Sequence, residues 1–170
     1  LALLACFLCA TLQTKASVGL VFAGDTVLDD APGDLIAKGG DPFAGVASVF
    51  ASADIRLLNL ECVVATQGEP ADKFYTFRAH PRVVPVLKKH VDAVALANNH
   101  SGDYGPQAFS EMLTLFSRSG LAFVGGGQDL TQAHAPLLFE RRGLRVAVLS
   151  YNEFHPRSFE ASVNLPGVAW

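Results

Sequence analysis

The sequence predicts a layered α/β domain, and three observations support this. Four short apolar runs that end in polar residues are typical of buried parallel strands: residues 17–25, 55–61, 92–98 and 145–152. Helical patterns lie between these runs, and such alternation favours strands joined by right-handed crossovers. Half of the residues are hydrophobic and 17% are charged, against about 25% in an average soluble domain, which excludes extensive disorder.

Three helices are predicted between the strands. Apolar residues spaced at i, i+3, i+4 and i+7 predict one helix over residues 43–50 and another over residues 109–116. Pro106 fits the first turn of the second helix and Gly120 fits its end, as helix termini favour these residues. A further helix is predicted over residues 81–90, with proline at its start.

The second half of the chain predicts two shorter strands, residues 121–127 and 136–142, and a turn at Gly143 that joins the latter to the strand at 145–152. The three consecutive glycines at 125–127 are interpreted as a strand-to-helix turn, because no phosphate-binding glycine motif surrounds them. The 13 Lys and Arg residues are scattered and are outnumbered by 16 Asp and Glu, which argues against nucleic acid as a partner.

The chain opens on an apolar run over residues 1–12. Such a run is shorter than the roughly 20 residues that span a bilayer, but it suits the hydrophobic part of a signal peptide. The segment that ends at Cys6 also resembles a lipoprotein box. We therefore expect residues 1–16 to be a truncated signal peptide or lipoprotein leader, and the protein to be exported to the cell envelope or anchored at the membrane. A truncated membrane anchor or a buried N-terminal helix is the alternative.

Polar side chains follow each predicted strand at its carboxyl end, where open α/β sheets bind their ligands. These residues are Asp25, Asn59, Glu61, Asn98, Asn99, His100 and Asn152. Carboxylates and amides are oxygen ligands, and an imidazole either binds a metal or moves a proton near neutral pH. Together they predict a site for a divalent metal or an anionic substrate. Taken singly, each residue also fits a turn or the edge of the sheet.

The chain resembles the bacterial capsule-synthesis family of CapA-like proteins, which is associated with poly-γ-glutamate biosynthesis. The resemblance covers roughly residues 18–152 and is carried by the ordered motifs FAGDTVLDD, LLNLECVVAT, KFYTFRAHP, VALANNHSGDYG and FVGGG. The family is similar in fold to calcineurin-like metallophosphoesterases. The resemblance therefore implies a layered αββα sandwich, in which two sheets pack between helical layers, with residues 17–170 as its N-terminal part.

The resemblance also implies roles for individual residues. His100 is expected to be the catalytic residue, as a proton donor or a stabiliser of the transition state. The expected ligands of one or two divalent metal ions are Asp25, Glu61 and Asn99. Residues expected to bind substrate or to support the site from behind are Asn98, Asp103 and Arg78. Two positions depart from the metallophosphoesterase pattern: Val27 replaces a histidine, and Glu61 replaces an aspartate.

The implied function is a metal-dependent hydrolase of metallophosphoesterase type in the cell envelope, which acts in capsule or poly-γ-glutamate biosynthesis. Its substrate would be an anionic polymer or a phosphoester, and membrane-bound capsule-assembly proteins would be its partners. The alternative is a non-catalytic accessory component that binds the polymer. A later family motif, His-x-Gly-x-Glu, does not occur before Trp170. We therefore expect this chain alone to be catalytically incomplete.

Overall fold

The computed structural model describes residues 17–155 and 157–170, and the leader predicted for residues 1–16 lies outside the described residues. The strands are β1 (Leu20–Thr26), β2 (Ile55–Leu60), β3 (Val63–Val64), β4 (Arg78–Ala79), β5 (Ala93–Ala95), β6 (Ala122–Val124), β7 (Gly126–Gly127), β8 (Leu137–Arg141), β9 (Leu144–Val148) and β10 (Gly167–Val168). The α-helices are α1 (Asp30–Ala37), α2 (Ala47–Ala51), α3 (Val84–His90), α4 (Gly105–Ser119) and α5 (Leu130–Ala133). None of the helices in the described part is long and apolar enough to cross a membrane.

A parallel sheet of four strands, in the order β1-β2-β5-β6, organises the domain. It confirms the predicted α/β class. The predicted strands at 17–25, 55–61 and 92–98 overlap β1, β2 and β5, and the fourth strand of the sheet lies in the segment predicted at 121–127. The long apolar runs arise because β2 and β5 lie inside the sheet, where most of their residues are buried.

The two faces of the sheet are covered by different partners. Leu58 and Leu60 of β2 join the main core, together with buried side chains of α1, α2, α3 and α4. Ile55 and Leu57 of the same strand face the other way and pack with Phe139 of β8. Since side chains alternate along a strand, the helices cover one face and the β8–β9 pair covers the other.

The strand predicted at 145–152 is not part of the parallel sheet, which corrects our expectation. It forms β9, which pairs antiparallel with β8. The connection is the two-residue turn Arg142-Gly143, where both residues have positive φ angles of 51° and 76°. Such a turn closes a hairpin, whereas a parallel crossover needs a dozen or more residues.

Helix α4 is the best predicted element. Pro106 lies in its first turn, and Gly120 ends it in the left-handed conformation at φ 72°. Its apolar stripe, Phe109, Met112, Leu113 and Phe116, is buried. The helices predicted over 43–50 and 81–90 both begin as 3₁₀ turns, at Ala44–Val46 and Pro81–Val83, before they become α2 and α3. Helix α1 was not predicted.

The glycines at 125–127 bring three segments close together. They do not form the predicted strand-to-helix turn alone, because Gly126–Gly127 is strand β7 and pairs antiparallel with β10. Gly125 has φ +80°, and a Cβ there would lie 2.7 Å from Cβ of Ser150 and 2.8 Å from Cβ of Ala97. The chain just before Asn152 is thereby held near the end of β5.

Candidate functional site

Hydrogen bonds from side-chain amides link the carboxyl ends of β1 and β2 and the segment that follows β5. Strand register places Asp25 opposite Asn59, and Nδ2 of Asn59 donates to Oδ1 of Asp25 at 2.8 Å. Nδ2 of Asn98 then donates to Oδ1 of Asn59 and to the Leu60 carbonyl, both at 2.9 Å. Asn98 is buried and holds the Asn59 side chain, which in turn holds Asp25. The structure thus brings the predicted residues of the first three strands to one edge.

Two carboxylates meet at this edge. Burial raises the pKa of Glu61, and the neighbouring carboxylate of Asp25 raises it further through a shared hydrogen bond and charge repulsion. Oε1 of Glu61 lies 3.9 Å from Nε2 of His100. A cation near these two carboxylates would relieve their repulsion.

His100 is held in one orientation by its neighbours. Its Nδ1 lies 2.8 Å from Oδ2 of Asp103, which is fully buried. Because a carboxylate only accepts hydrogen bonds, Nδ1 carries the hydrogen and Nε2 faces Glu61. The ring also packs against Phe77 at 4.6 Å between centroids, and the His100 N–H donates to Oδ1 of Asn98 at 3.0 Å.

Lys73 completes this arrangement, and sequence reasoning did not select it. Its Nζ donates to the Asn99 carbonyl at 2.9 Å and forms an ion pair with Oδ1 of Asp103. The contact between Lys73 Nζ and Asp103 Oδ1 is an ion pair and does not have the geometry of a hydrogen bond. The Phe77 N–H donates to Oδ2 of Asp103 at 2.7 Å. Lys73 and Phe77 both stand in the KFYTFRAHP motif, which was the available signal.

Arg78, which was expected to bind substrate or to support the site, makes its contacts away from His100. Its Nη1 donates to the carbonyls of Gly68 and Gln67 at 3.0 and 3.3 Å, and its guanidinium lies over the Tyr104 ring at 4.4 Å. It also lines a cleft of about 320 Å³ beside α1, which is separate from the one that His100 lines. Arg78 therefore holds the loop before β4 against the start of α4.

A larger cleft, of about 570 Å³, opens on the other side of His100. Its polar end is formed by Asn98, Asn99, His100 and Asn152. Its remaining walls are the segment 71–75 with Phe154, Ser158 and Phe159. Gly102 allows this wall to approach, because a Cβ there would lie 2.5 Å from the Phe159 ring.

The side chains expected to bind a metal are oxygen donors of the kind that divalent cations prefer. Asp25 and Glu61 supply two neighbouring carboxylates, and Asn99 is half-buried at the neighbouring strand end. Within residues 17–155 and 157–170, no group of three or more His, Cys, Asp and Glu side chains could hold a metal ion. Further ligands would therefore have to be amides, water or groups outside the described residues.

The fold and the site define a class: an α/β domain with carboxylates, amides and an imidazole gathered at the carboxyl edge of a parallel sheet, where such domains bind ligands. The family can now be named. Residues 19–167 match the model of the bacterial capsule synthesis protein PGA_cap, and the chain belongs to this family. The resemblance to CapA-like proteins is thereby confirmed.

Individual relatives agree with this assignment. The chain is 36% identical over 125 residues to a "Probable polyglutamine synthesis accessory protein" of Mycobacterium tuberculosis, which covers 69% of this chain and 32% of that protein. It is 32% identical over 136 residues to the "PGA biosynthesis protein CapA" of Bacillus subtilis, which covers 77% of this chain and 36% of that protein. The chain thus spans about a third of the length of these relatives.

Proposed function

We propose that the strand-end site belongs to a metal-dependent hydrolase of metallophosphoesterase type, which cleaves an anionic ester in capsule or poly-γ-glutamate biosynthesis. One observation carries this proposal: buried Asp103 fixes His100 so that Nε2 faces the Asp25–Glu61 carboxyl pair. An imidazole held by a carboxylate at one nitrogen and free at the other is the usual arrangement of a general acid or base.

His100, Asp103 and Lys73 have separate roles in the proposed hydrolysis. Water adds to the ester, the bond to the leaving oxygen breaks, and that oxygen needs a proton, which Nε2 of His100 is placed to hold or to give. Asp103 keeps the imidazole in the orientation with its hydrogen on Nδ1. Lys73 balances the buried charge of Asp103, which would otherwise be costly to bury.

Asp25 and Glu61, with Asn99, are the residues that would hold a divalent cation. When bound, such an ion supplies a reactive hydroxide and neutralises charge on the ester. Asn59 orients the Asp25 carboxylate that would bind this ion, and Asn98 orients Asn59.

The packing of the β8–β9 hairpin supports the αββα sandwich as the complete architecture. The hairpin lies on the sheet face opposite the helices, where a second sheet would begin. It leaves Phe22 of β1 on that face 64% exposed. A longer second sheet would cover this side chain. Export to the cell envelope, by a leader at residues 1–16, remains part of the proposal.

The test uses the protein expressed from its complete natural reading frame and assays hydrolysis of phosphomonoesters and phosphodiesters. His100→Ala should lower kcat by about 10²- to 10⁴-fold, the usual contribution of a general acid or base. His155→Ala is the matched control, because His155 is exposed and packs against Trp170, and it should retain the wild-type rate. Equal rates in the wild type and His100→Ala would refute the proposal.

An accessory, polymer-binding role is the second candidate. It is favoured by the name of one relative, the Mycobacterium tuberculosis protein, which contains the word "accessory". Binding of poly-γ-glutamate that persists in His100→Ala, in a protein without hydrolytic activity, would favour this role.

A further inference from the structure

We propose that the cleft beside His100 recognises a flat, weakly hydrated ring, so that the substrate is an anionic ester whose leaving part carries such a ring. This inference rests on the proposed hydrolytic function of the same site. It concerns the segment 71–75 and Phe154.

Aromatic side chains form the outer walls of the cleft. Phe74 is fully exposed, and Tyr75 and Phe154 are exposed to 72% and 60%. Phe159 forms the back wall and is fixed by an edge-to-face contact with buried Phe109 at 5.2 Å between centroids. Exposed aromatic side chains that share one cleft commonly serve as stacking surfaces, because rings prefer offset or edge-to-face partners.

The charge of the cleft argues against a polyanion along its length. Lys73 supplies the one lysine or arginine among the described residues that line it, and its ammonium is already paired with Asp103. Asp72 adds a negative charge on the same wall. A run of carboxylates would need several free cations. The aromatic walls therefore fit an uncharged ring better than a polymer of acidic residues.

The arrangement of Glu61, His100 and the cleft indicates where the ring would bind. Nε2 of His100 faces Glu61 on one side, and the His100 side chain lines the cleft on the other. An ester whose anionic centre lay against a cation held by Asp25 and Glu61 would have its leaving oxygen near His100 and its leaving group in the cleft. The amide of Asn152 also lines the polar end of the cleft, where it can bind polar atoms next to the ring.

The test compares two stable anions of equal charge, phenylphosphonate and methylphosphonate. Their affinities are measured by calorimetry on the protein from the complete reading frame, purified without chelator. We expect phenylphosphonate to bind about tenfold more tightly, since stacking of a ring on aromatic side chains is worth that much or more. The double variant Phe74→Ala with Phe154→Ala should reduce the ratio to near one and leave the affinity for methylphosphonate unchanged.

The outcomes separate this inference from the function on which it rests. Equal binding of both anions by the wild-type protein would overturn the ring inference and leave the anion site intact. Binding of neither would contradict the proposed function as well. Val163→Ala is the control, because Val163 is an exposed apolar residue outside the cleft, and it should keep the wild-type ratio. Unchanged thermal unfolding of the double variant shows that a lost ratio comes from the cleft.

Discussion

Replacement of Asp103 by asparagine tests the link between the structure of the site and its chemistry. The Asp103 carboxylate accepts hydrogen bonds from Nδ1 of His100 and from the Phe77 N–H, and it pairs with Lys73. Charge-assisted hydrogen bonds contribute about 1.5–3 kcal/mol each, and neutral ones about 1 kcal/mol. Asp103→Asn therefore weakens two bonds by about 1 kcal/mol each. It also leaves the partly buried ammonium of Lys73 facing an amide group.

The sum predicts that Asp103→Asn lowers the free energy of unfolding by about 3 kcal/mol, to be measured by urea denaturation. The hydrolysis rate should fall about 100-fold, because His100 loses its fixed orientation. Asp129→Asn is the matched control. Asp129 caps α5 by accepting one hydrogen bond, from the Gln132 N–H. Asparagine caps helices about as well as aspartate, so this change should lower the free energy of unfolding by less than about 0.5 kcal/mol and leave the rate unchanged. If Asp103→Asn behaves like Asp129→Asn in both assays, the reasoning is refuted.

Two further predictions concern the scaffold. The Lys89 and His90 side chains hold the pKa of Asp41 at about 2, below its ordinary 3.8, so its stabilisation is present above pH 3.8 and disappears as the pH falls towards 2. Solvent screening reduces this effect. Between pH 5 and pH 2 we expect the free energy of unfolding, measured by denaturant titration, to fall by about 1 kcal/mol more in the wild type than in Asp41→Asn. Equal decreases in the two proteins would contradict this. Gly125→Ala should lower the free energy of unfolding by about 3 kcal/mol in the same assay, because the φ angle is positive and the new Cβ would collide with Ser150. A decrease below about 1 kcal/mol would show that the close approach is not required.

Much of the sheet could be predicted because burial leaves a direct trace in the sequence. β2 and β5 are covered on both faces, so they read as continuous apolar runs, and α4 carries both its proline and its glycine signals. β9 was misplaced because an apolar run does not reveal whether its partner is parallel or antiparallel. The turn at Gly143 was predicted correctly, and it already indicated that this strand pairs with the one before it.

The site could be predicted in part for a related reason. Parallel strands end at one edge, so Asp25, Glu61 and His100 could be expected to meet there. The contact of Lys73 with Asp103 could not, since it joins residues 30 positions apart and depends on how the loop before β4 folds back. The aromatic wall at Phe74 and Phe154 was likewise invisible, because exposed aromatic residues in loops have no periodic pattern.

Metal content tests the central claim most directly. The protein from the complete reading frame, purified without chelator, is compared by elemental analysis with the double variant Asp25→Ala and Asn99→Ala. Glu140→Gln is the control, because it removes an exposed carboxylate on β8, away from the strand ends. We predict stoichiometric divalent metal in the wild type and in Glu140→Gln, and its loss in the double variant. Absence of metal from the wild type, or equal metal in all three proteins, would contradict a metal-dependent site at these strand ends.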